Sequence, residues 1–214
     1  SGRCIQAINY KHANGGYTEH VPDSLTHVFH TANGREVRDG GGIKPDVEVR
    51  PDSLPNIAFY LASSGRDSTE VMWNWELQYL KKHPTIGPAK TFVISDADFE
   101  DFKQAVLKSG FKYDRESKKY LENLVKLAKF EGYYDDAKAE FEAIENKLKH
   151  NVAKDLDYNK QTLKKVLTSD LVSAYYYQKG SLENSLQFDK QWKKAVEILK
   201  NPVEYKKLLQ PVVG

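Results

Sequence analysis

Histidines and acidic residues near the start of the chain could bind a metal ion, because imidazole nitrogens and carboxylate oxygens are zinc ligands. The candidates are His12, Glu19, His20, Asp23, His27 and His30. Val28 and Phe29, which separate the last two histidines, are typical of a strand, in which residues three positions apart lie on opposite faces. We therefore interpret these histidines as polar loop residues and predict no metal-binding residue.

Two other groups could supply a nucleophile. Ser63-Ser64-Gly65, combined with a lysine from elsewhere, is a candidate pair, but it lacks the G-x-S-x-G spacing of a nucleophile elbow. Cys4, the only cysteine, alternates with Ile5 and Ile8, which predicts a buried structural thiol rather than a reactive one. We predict no catalytic residue in this chain.

A glycine-rich segment could be mistaken for a phosphate-binding loop. Such a loop needs G-x-G-x-x-G or the Walker spacing before a helix. Here Gly40–Gly42 is followed by Pro45 and by the alternating Val47 and Val49, which predict a strand. Asn33-Gly34 predicts a hairpin turn, and the glycine triplet predicts positive φ angles or close backbone approach. We predict no cofactor.

Tyrosines form two clusters, Tyr133-Tyr134 and Tyr175–Tyr177. Tyrosine provides apolar area and a hydrogen bond at modest entropic cost, so a peptide-binding surface is one interpretation. Consecutive tyrosines on a helix point in different directions, however, and most would lie between core and surface. We favour this second interpretation.

The elements that position these residues change type near Pro51. Before it lie most of the glycines and short β-like runs, and after it helical periodicity dominates. The pattern predicts an α+β chain that is mainly α, in which a short β-rich N-terminal segment precedes a larger helical bundle. We place the domains at residues 1–52 and 53–214.

Several helices can be predicted individually. One runs from Leu54 to Leu61 after a cap at Asp52 or Ser53, and another from about Asp67 or Ser68 to Lys82. Thr91–Ile94 predicts a strand or an extended connection before a helix capped at Ser95-Asp96 that contains Phe99, Phe102 and Val106. Further apolar faces are Leu121/Leu124/Val125/Ala128, Ala137/Phe141/Ile144/Leu148, Leu163/Val166/Leu167/Leu171 and Trp192/Ala195/Val196/Leu199. Asn201 and Pro202 predict a last helix with Tyr205, Leu208 and Leu209 inward.

Two motifs resemble the carboxy-terminal processing peptidases, also called tail-specific serine proteases. They are Ser1-Gly-Arg-Cys-Ile-Gln6 and T-x-x-G-R-x-V-x-x-G-G-G-I-x-P-D-V at residues 31–47. In that family the first resembles the strand after the catalytic region, and the second resembles the loop and strand that close the protease domain. The segments Phe130–Tyr134, Ala174–Gly180 and Phe188–Trp192 resemble the helical extension of some family members.

The resemblance implies a C-terminal fragment of a serine endopeptidase that cleaves proteins near their C-termini. The catalytic serine and lysine of the family, and its PDZ domain, lie upstream of both motifs, so this chain would lack the catalytic pair and be inactive alone. The alternative is a non-catalytic helical module for protein or substrate binding. The resemblance also implies protein or peptide substrates and a periplasmic or cell-envelope location.

Composition limits the other partners. The 32 basic and 30 acidic residues are interspersed and leave a net charge of +2, which argues against nucleic-acid binding. No apolar run approaches the roughly 20 residues needed to span a bilayer. Strands in the first fifty residues whose sheet neighbours this chain lacks would pair with each other, pair with another copy, or remain poorly ordered.

Overall fold

The structure of the chain is a computed structural model that describes residues 1–5, 23–40, 42–62, 70–113, 115–149 and 151–210. The chain forms two compact units, namely residues 1–51 together with 190–214, and residues 52–189. The sequence-based division into residues 1–52 and 53–214 remains a prediction.

The first unit contains a two-stranded antiparallel sheet. Its elements are a 3-10 helix, Asp23–Leu25, and the strands β1, Val28–His30, and β2, Glu36–Arg38. In the turn between the strands Gly34 has a φ angle of 78°, which glycine adopts readily, and its N–H donates to the Thr31 carbonyl at 2.9 Å. The hairpin predicted from Asn33-Gly34 is confirmed, and β1 and β2 pair with each other.

The strand predicted around Val47 and Val49 is wrong. Residues 42–50 form a bend and irregular backbone. Gly40 and Gly42 both have φ angles of 75°, which interrupt the extended path and confirm the positive φ predicted for the triplet; Gly41 lies outside the described residues. Residues 1–5 also have no regular structure, so the start of the predicted first strand is not formed.

The second unit is helical. Its helices are α1, Asn56–Ala62; α2, Val71–Lys82; α3, Asp96–Lys108; α4, Glu116–Glu131; α5, Lys138–Lys147; α6, Val152–Tyr158; and α7, Lys160–Ser185. The prediction missed the short helix α6. The described fold is therefore α+β and mainly α, with the sheet near the N-terminus, as predicted.

Helix boundaries follow from local residues. Helix α1 starts at Asn56 instead of Leu54, because Leu54 precedes Pro55 and is disfavoured from the helical region. Helix α2 ends at Lys82 as predicted; its predicted start at Asp67 or Ser68 lies outside the described residues. The predicted cap of α3 is confirmed, since Ser95 Oγ accepts from Asp98 N–H at 3.0 Å and Asp98 Oδ2 accepts from Ser95 N–H at 2.9 Å.

The core of the second unit lies where α1, α2, α3, α6 and α7 meet. The largest fully buried apolar side chains are Ile57, Ile94, Phe99, Phe102, Leu156, Leu163, Leu167 and Leu171. The inward faces predicted for α3 and α7 are therefore confirmed, except that Val166 is only partly buried.

Helix α7 also fixes the irregular connection between α2 and α3, residues 83–95. Thr168 Oγ1 accepts from Ile94 N–H at 3.2 Å, and Asn184 Nδ2 donates to the carbonyls of Ala89 and Phe92 at 2.6 and 2.9 Å. Backbone groups outside helices and sheets need such partners when they are buried. Thr91–Ile94 is thus the extended connection rather than the strand.

A kink in α7 lies next to these contacts. The backbone of Tyr177 has φ 56° and ψ −162°, a combination that residues other than glycine rarely adopt. A Cβ at Gly180 would overlap the Tyr176 Cβ, so glycine permits the close approach after the kink. Asn184, which bonds to the connection, lies in the helical segment that follows the kink.

Two further helices belong to the first unit: α8, Lys190–Leu199, and α9, Pro202–Leu208. The cap of α9 is confirmed, because Asn201 Oδ1 accepts from Glu204 N–H at 3.2 Å. Their predicted inward faces are only partly formed: Trp192, Leu199, Tyr205 and Leu209 are exposed, whereas Val196 and Leu208 are partly buried and Ile198 is the buried residue of α8.

Candidate functional site

The histidine cluster does not form a metal site among the described residues. His27 precedes β1, and its Nδ1 lies 3.2 Å from Asp39 Oδ2. His30 is paired with Glu36 across the sheet, and the described part of the chain contains no group of three or more residues of the types that bind metals. His12, Glu19 and His20 lie outside the described residues, so the histidine interpretation remains a prediction there.

The two candidate nucleophiles have different outcomes. Cys4 is exposed and so is Ile5, so the predicted burial of the thiol is wrong. The reason is that residues 1–5 form no strand that would alternate between a buried and an exposed face. Ser63-Ser64-Gly65 lies outside the described residues.

The glycine loop borders a cavity of about 660 Å³ in the first unit. Arg3, Arg35, Arg38 and Lys44 line it, alongside Glu36, Asp39, Asp46 and Glu48. Arg35 forms an ion pair with Asp46, and no helix follows the glycines to direct backbone N–H groups at an anion. The balanced charges of its lining do not favour a phosphate over a cation.

The tyrosine clusters have mainly structural contacts. Tyr175 Oη donates to the His83 carbonyl, and Tyr176 Oη lies 3.1 and 3.0 Å from the carbonyls of Ile86 and Gly87. Tyr134 stacks on Phe141 at 5.5 Å. Tyr133, Tyr176 and Tyr177 are exposed, and only Tyr134 and Tyr175 lie between core and surface. The favoured interpretation therefore holds for two of the five rings, although Tyr176 also bonds to the backbone of the connection.

A cleft that the sequence analysis missed lies between α2 and α3. It has a volume of about 220 Å³. Trp75, Tyr79 and His83 line one wall at four-residue spacing along α2 and its C-terminus. Adjacent rings are in contact, with centroids 5.3 Å apart for Trp75 and Tyr79 and 4.2 Å apart for Tyr79 and His83. We call this space the α2–α3 cleft.

The opposite wall of the α2–α3 cleft is acidic. Asp98 and Asp101 from the first turns of α3 line it, and Trp75 Nε1 donates to Asp101 Oδ2 at 3.0 Å. Tyr79 is 8% exposed, and burial, together with the negative charge of Asp98, raises the pKa of its hydroxyl to about 12. The start of α3 could be predicted from the cap at Ser95. The position of its first turns opposite the aromatic residues of α2 could not, because it depends on tertiary packing.

A buried carboxyl group lies on another face of α2. Glu76 is 8% exposed, and its Oε1 has no hydrogen-bond partner among the described residues. Burial, reinforced by the nearby charge of Asp170 on α7, raises the pKa of Glu76 to about 8. Burial of its carboxyl group also raises the pKa of Asp170, although the residue as a whole is exposed, and its hydrogen bond with Glu76 opposes that rise. At neutral pH the proton therefore belongs on Glu76.

Helix α4 has an exposed apolar stripe. Tyr120, Leu124, Leu127 and Phe130 lie on one side of the helix, and Phe130 is 90% exposed. Leu124 was predicted to share the inward face with Ala128, and this prediction is wrong. Helix α5 contacts α4, but α5 itself has no buried residue among those described.

These helices define a mainly helical domain, and among the described residues no helix is both long and apolar enough to span a membrane. The family described as "Probable PDZ-protease, C-terminal helical domain" matches residues 59–199, and the chain belongs to this family. The resemblance to the C-terminal part of a protease is thereby confirmed, and the domain is a protease-related helical domain. Neither a curated protein nor a solved structure matched the chain.

Proposed function

We propose that this chain is the C-terminal part of a serine-type carboxy-terminal processing peptidase, and that the catalytic serine and lysine lie upstream of it in the parent enzyme. One observation carries the proposal: the helical-domain match at residues 59–199 follows the motif at residues 31–47, in the order that such peptidases have. The parent would hydrolyse proteins near their free carboxyl ends. This chain would contribute the last hairpin and glycine loop of the protease domain and the helical domain.

The test compares three proteins: the 214-residue chain, a chain extended upstream through the expected serine and lysine, and the extended chain with that serine changed to alanine. Each is assayed with peptides that differ only in a free or an amidated C-terminus. We expect cleavage by the extended chain alone, with preference for the free carboxylate. Cleavage by the 214-residue chain would place the catalytic residues within it and overturn the proposal.

A second candidate function is protein or substrate binding by the helical domain without catalysis. The exposed stripe of α4 favours it, because contiguous apolar surface often marks a contact site. Deleting residues 53–214 from the extended chain distinguishes the two roles. Loss of folding would indicate a packing role, whereas intact cleavage of short peptides with altered choice among protein substrates would indicate recognition.

The proposed location is the periplasm or cell envelope, which follows from the kind of peptidase that the two motifs resemble. Fractionation of cells that express the parent protein tests it. Recovery of the parent with cytoplasmic markers would contradict this part of the proposal.

A further inference from the structure

We propose that helices α8 and α9 bind a membrane surface that contains anionic lipids. The contact region, which we call the α8–α9 surface, comprises residues 190–209. Its partner is the headgroup layer of a bilayer and not a pocket-sized ligand. Such binding is separate from the proposed peptidase activity, because it needs only the exposed side chains of these two helices.

The α8–α9 surface is basic within a nearly neutral chain. It has six lysines and two glutamates, a net charge of +4, whereas the whole chain has +2 and the remaining residues therefore −2. Lys194 pairs with Glu197, but four other lysines are exposed and form no ion pair within the described part of the chain. They are Lys193, Lys200, Lys206 and Lys207. A negative leaflet attracts such lysines, and each one strengthens binding about fivefold.

Helix α8 is amphipathic, yet much of its apolar side is exposed. That side carries Trp192, Ala195, Val196 and Leu199, at spacings of three and four residues, and the opposite side carries Lys190, Lys193 and Lys194. Trp192 is 49% exposed and Leu199 63% exposed. A surface helix normally buries its apolar stripe against the core. A helix with lysines on one side and accessible tryptophan and leucine on the other is typical of one that lies in a membrane interface.

Helix α9 adds both apolar groups and charge. Val203 and Leu209 are 78% and 56% exposed, and Lys206 and Lys207 lie between them in the sequence. Lysine stems can lie along apolar surface while their ammonium groups reach lipid phosphates. A second copy of the chain would bring another net charge of +4 to the contact, so the charges favour an anionic bilayer over self-association through this surface.

Polar contacts attach the two helices to the rest of the first unit. Gln191 Nε2 donates to the Val49 carbonyl at 3.0 Å, and Arg35 Nη1 donates to the Leu208 carbonyl at 3.3 Å. Among the described residues, Ile198 is the buried residue of α8, and α9 has none. Substitution of the exposed apolar residues therefore tests binding with little effect on folding.

The test measures co-sedimentation of the 214-residue chain with vesicles in about 0.1 M KCl. One set of vesicles is phosphatidylcholine with about 30% phosphatidylglycerol, and the other is phosphatidylcholine alone. We expect half of the chain to bind the anionic vesicles at about 1 mM accessible lipid, because four lysines at about fivefold each contribute about 600-fold. The neutral vesicles should bind none of it at that concentration. Tryptophan emission should shift to shorter wavelength on binding, and Trp192→Phe should abolish this shift.

Two variants separate charge from apolar contact. Lys206→Ala combined with Lys207→Ala should weaken binding about 25-fold, and Leu199→Ser should weaken it about fivefold. Lys118→Ala combined with Lys119→Ala is the matched control, since it removes the same charge from two adjacent exposed lysines of α4. The control should change binding less than about twofold. Circular dichroism verifies that each variant is folded.

Equal binding to both kinds of vesicle, an equal loss in the control, or no binding up to about 10 mM lipid would each overturn the proposal. An emission shift that persists in Trp192→Phe would also overturn it, because the contact would then lie elsewhere on the chain. So would a dimer in sedimentation equilibrium that Leu199→Ser dissociates, because a second copy would then cover the apolar side. The result is independent of the cleavage assay, so failure here would leave the peptidase assignment standing.

Discussion

Replacing Glu76 with glutamine should stabilise the domain above neutral pH. The pKa of Glu76 rises from 4.5 to about 8 in the folded chain, so between these values the folded state holds a proton that the unfolded state releases. The free energy of unfolding therefore decreases as pH increases through this window. Glutamine is neutral throughout and does not contribute this decrease.

The magnitude follows from the same shift. At about 1.4 kcal/mol per pKa unit, the difference between 4.5 and about 8 gives an upper bound of about 5 kcal/mol. We reduce it to about 2 to 3 kcal/mol, because the shift comes mainly from burial of Glu76, and relaxation and water penetration lower the cost of ionising a buried carboxyl group. Glu76→Gln should thus match the parent chain at pH 4 and exceed it by this amount at pH 9.

The assay is urea unfolding followed by circular dichroism at several pH values between 4 and 9. Glu122→Gln, at an exposed position of α4, is the control and should show no pH-dependent difference of this size. A stability difference for Glu76→Gln that stays constant with pH would refute the reasoning, because the effect would then come from packing and not from the proton.

Three further changes test the contacts around α3 and α7. Tyr177→Gly should stabilise the domain by about 1 kcal/mol in thermal unfolding, since glycine relieves the positive φ angle; destabilisation would show that the kink is not strained. Asn184→Ala should cost about 2 kcal/mol in urea unfolding, because it leaves the carbonyls of Ala89 and Phe92 without this donor; a loss below about 0.5 kcal/mol would mean that water replaces it. Ser95→Ala should cost about 1 kcal/mol through loss of the helix cap, and Ser95→Asp should restore most of it.

Local sequence signals predicted the features that depend on a few neighbouring residues. The turn at Gly34 needs only a residue that tolerates positive φ, and the starts of α3 and α9 need only a side-chain acceptor at Ser95 or Asn201. The inward face of α7 was also predictable, because Leu163, Leu167 and Leu171 recur at helical spacing and face several helices.

Features that depend on the neighbours of an element were not predictable. The spacing of Leu124 or Leu199 predicts an apolar face, yet both are exposed, because periodicity does not say whether another helix covers that face. Glu76 lies among core residues of α2, and sequence alone gave no reason to expect a buried carboxyl group there. The α2–α3 cleft was missed for the same reason, since its walls are 15 or more positions apart in the sequence.

The tyrosines of α7 connect these features. Tyr175 donates to the His83 carbonyl, so the helix that carries the predicted tyrosine cluster fixes the end of the aromatic wall of the α2–α3 cleft. Asn184, beyond the kink at Tyr177, holds the connection that runs from His83 to α3. The tyrosine cluster thus acts on the α2–α3 cleft from outside it, because it holds the backbone at the end of the aromatic wall. The kink at Tyr177 therefore lies between the two contacts, made by Tyr175 and Asn184, through which α7 holds the connection from His83 to α3.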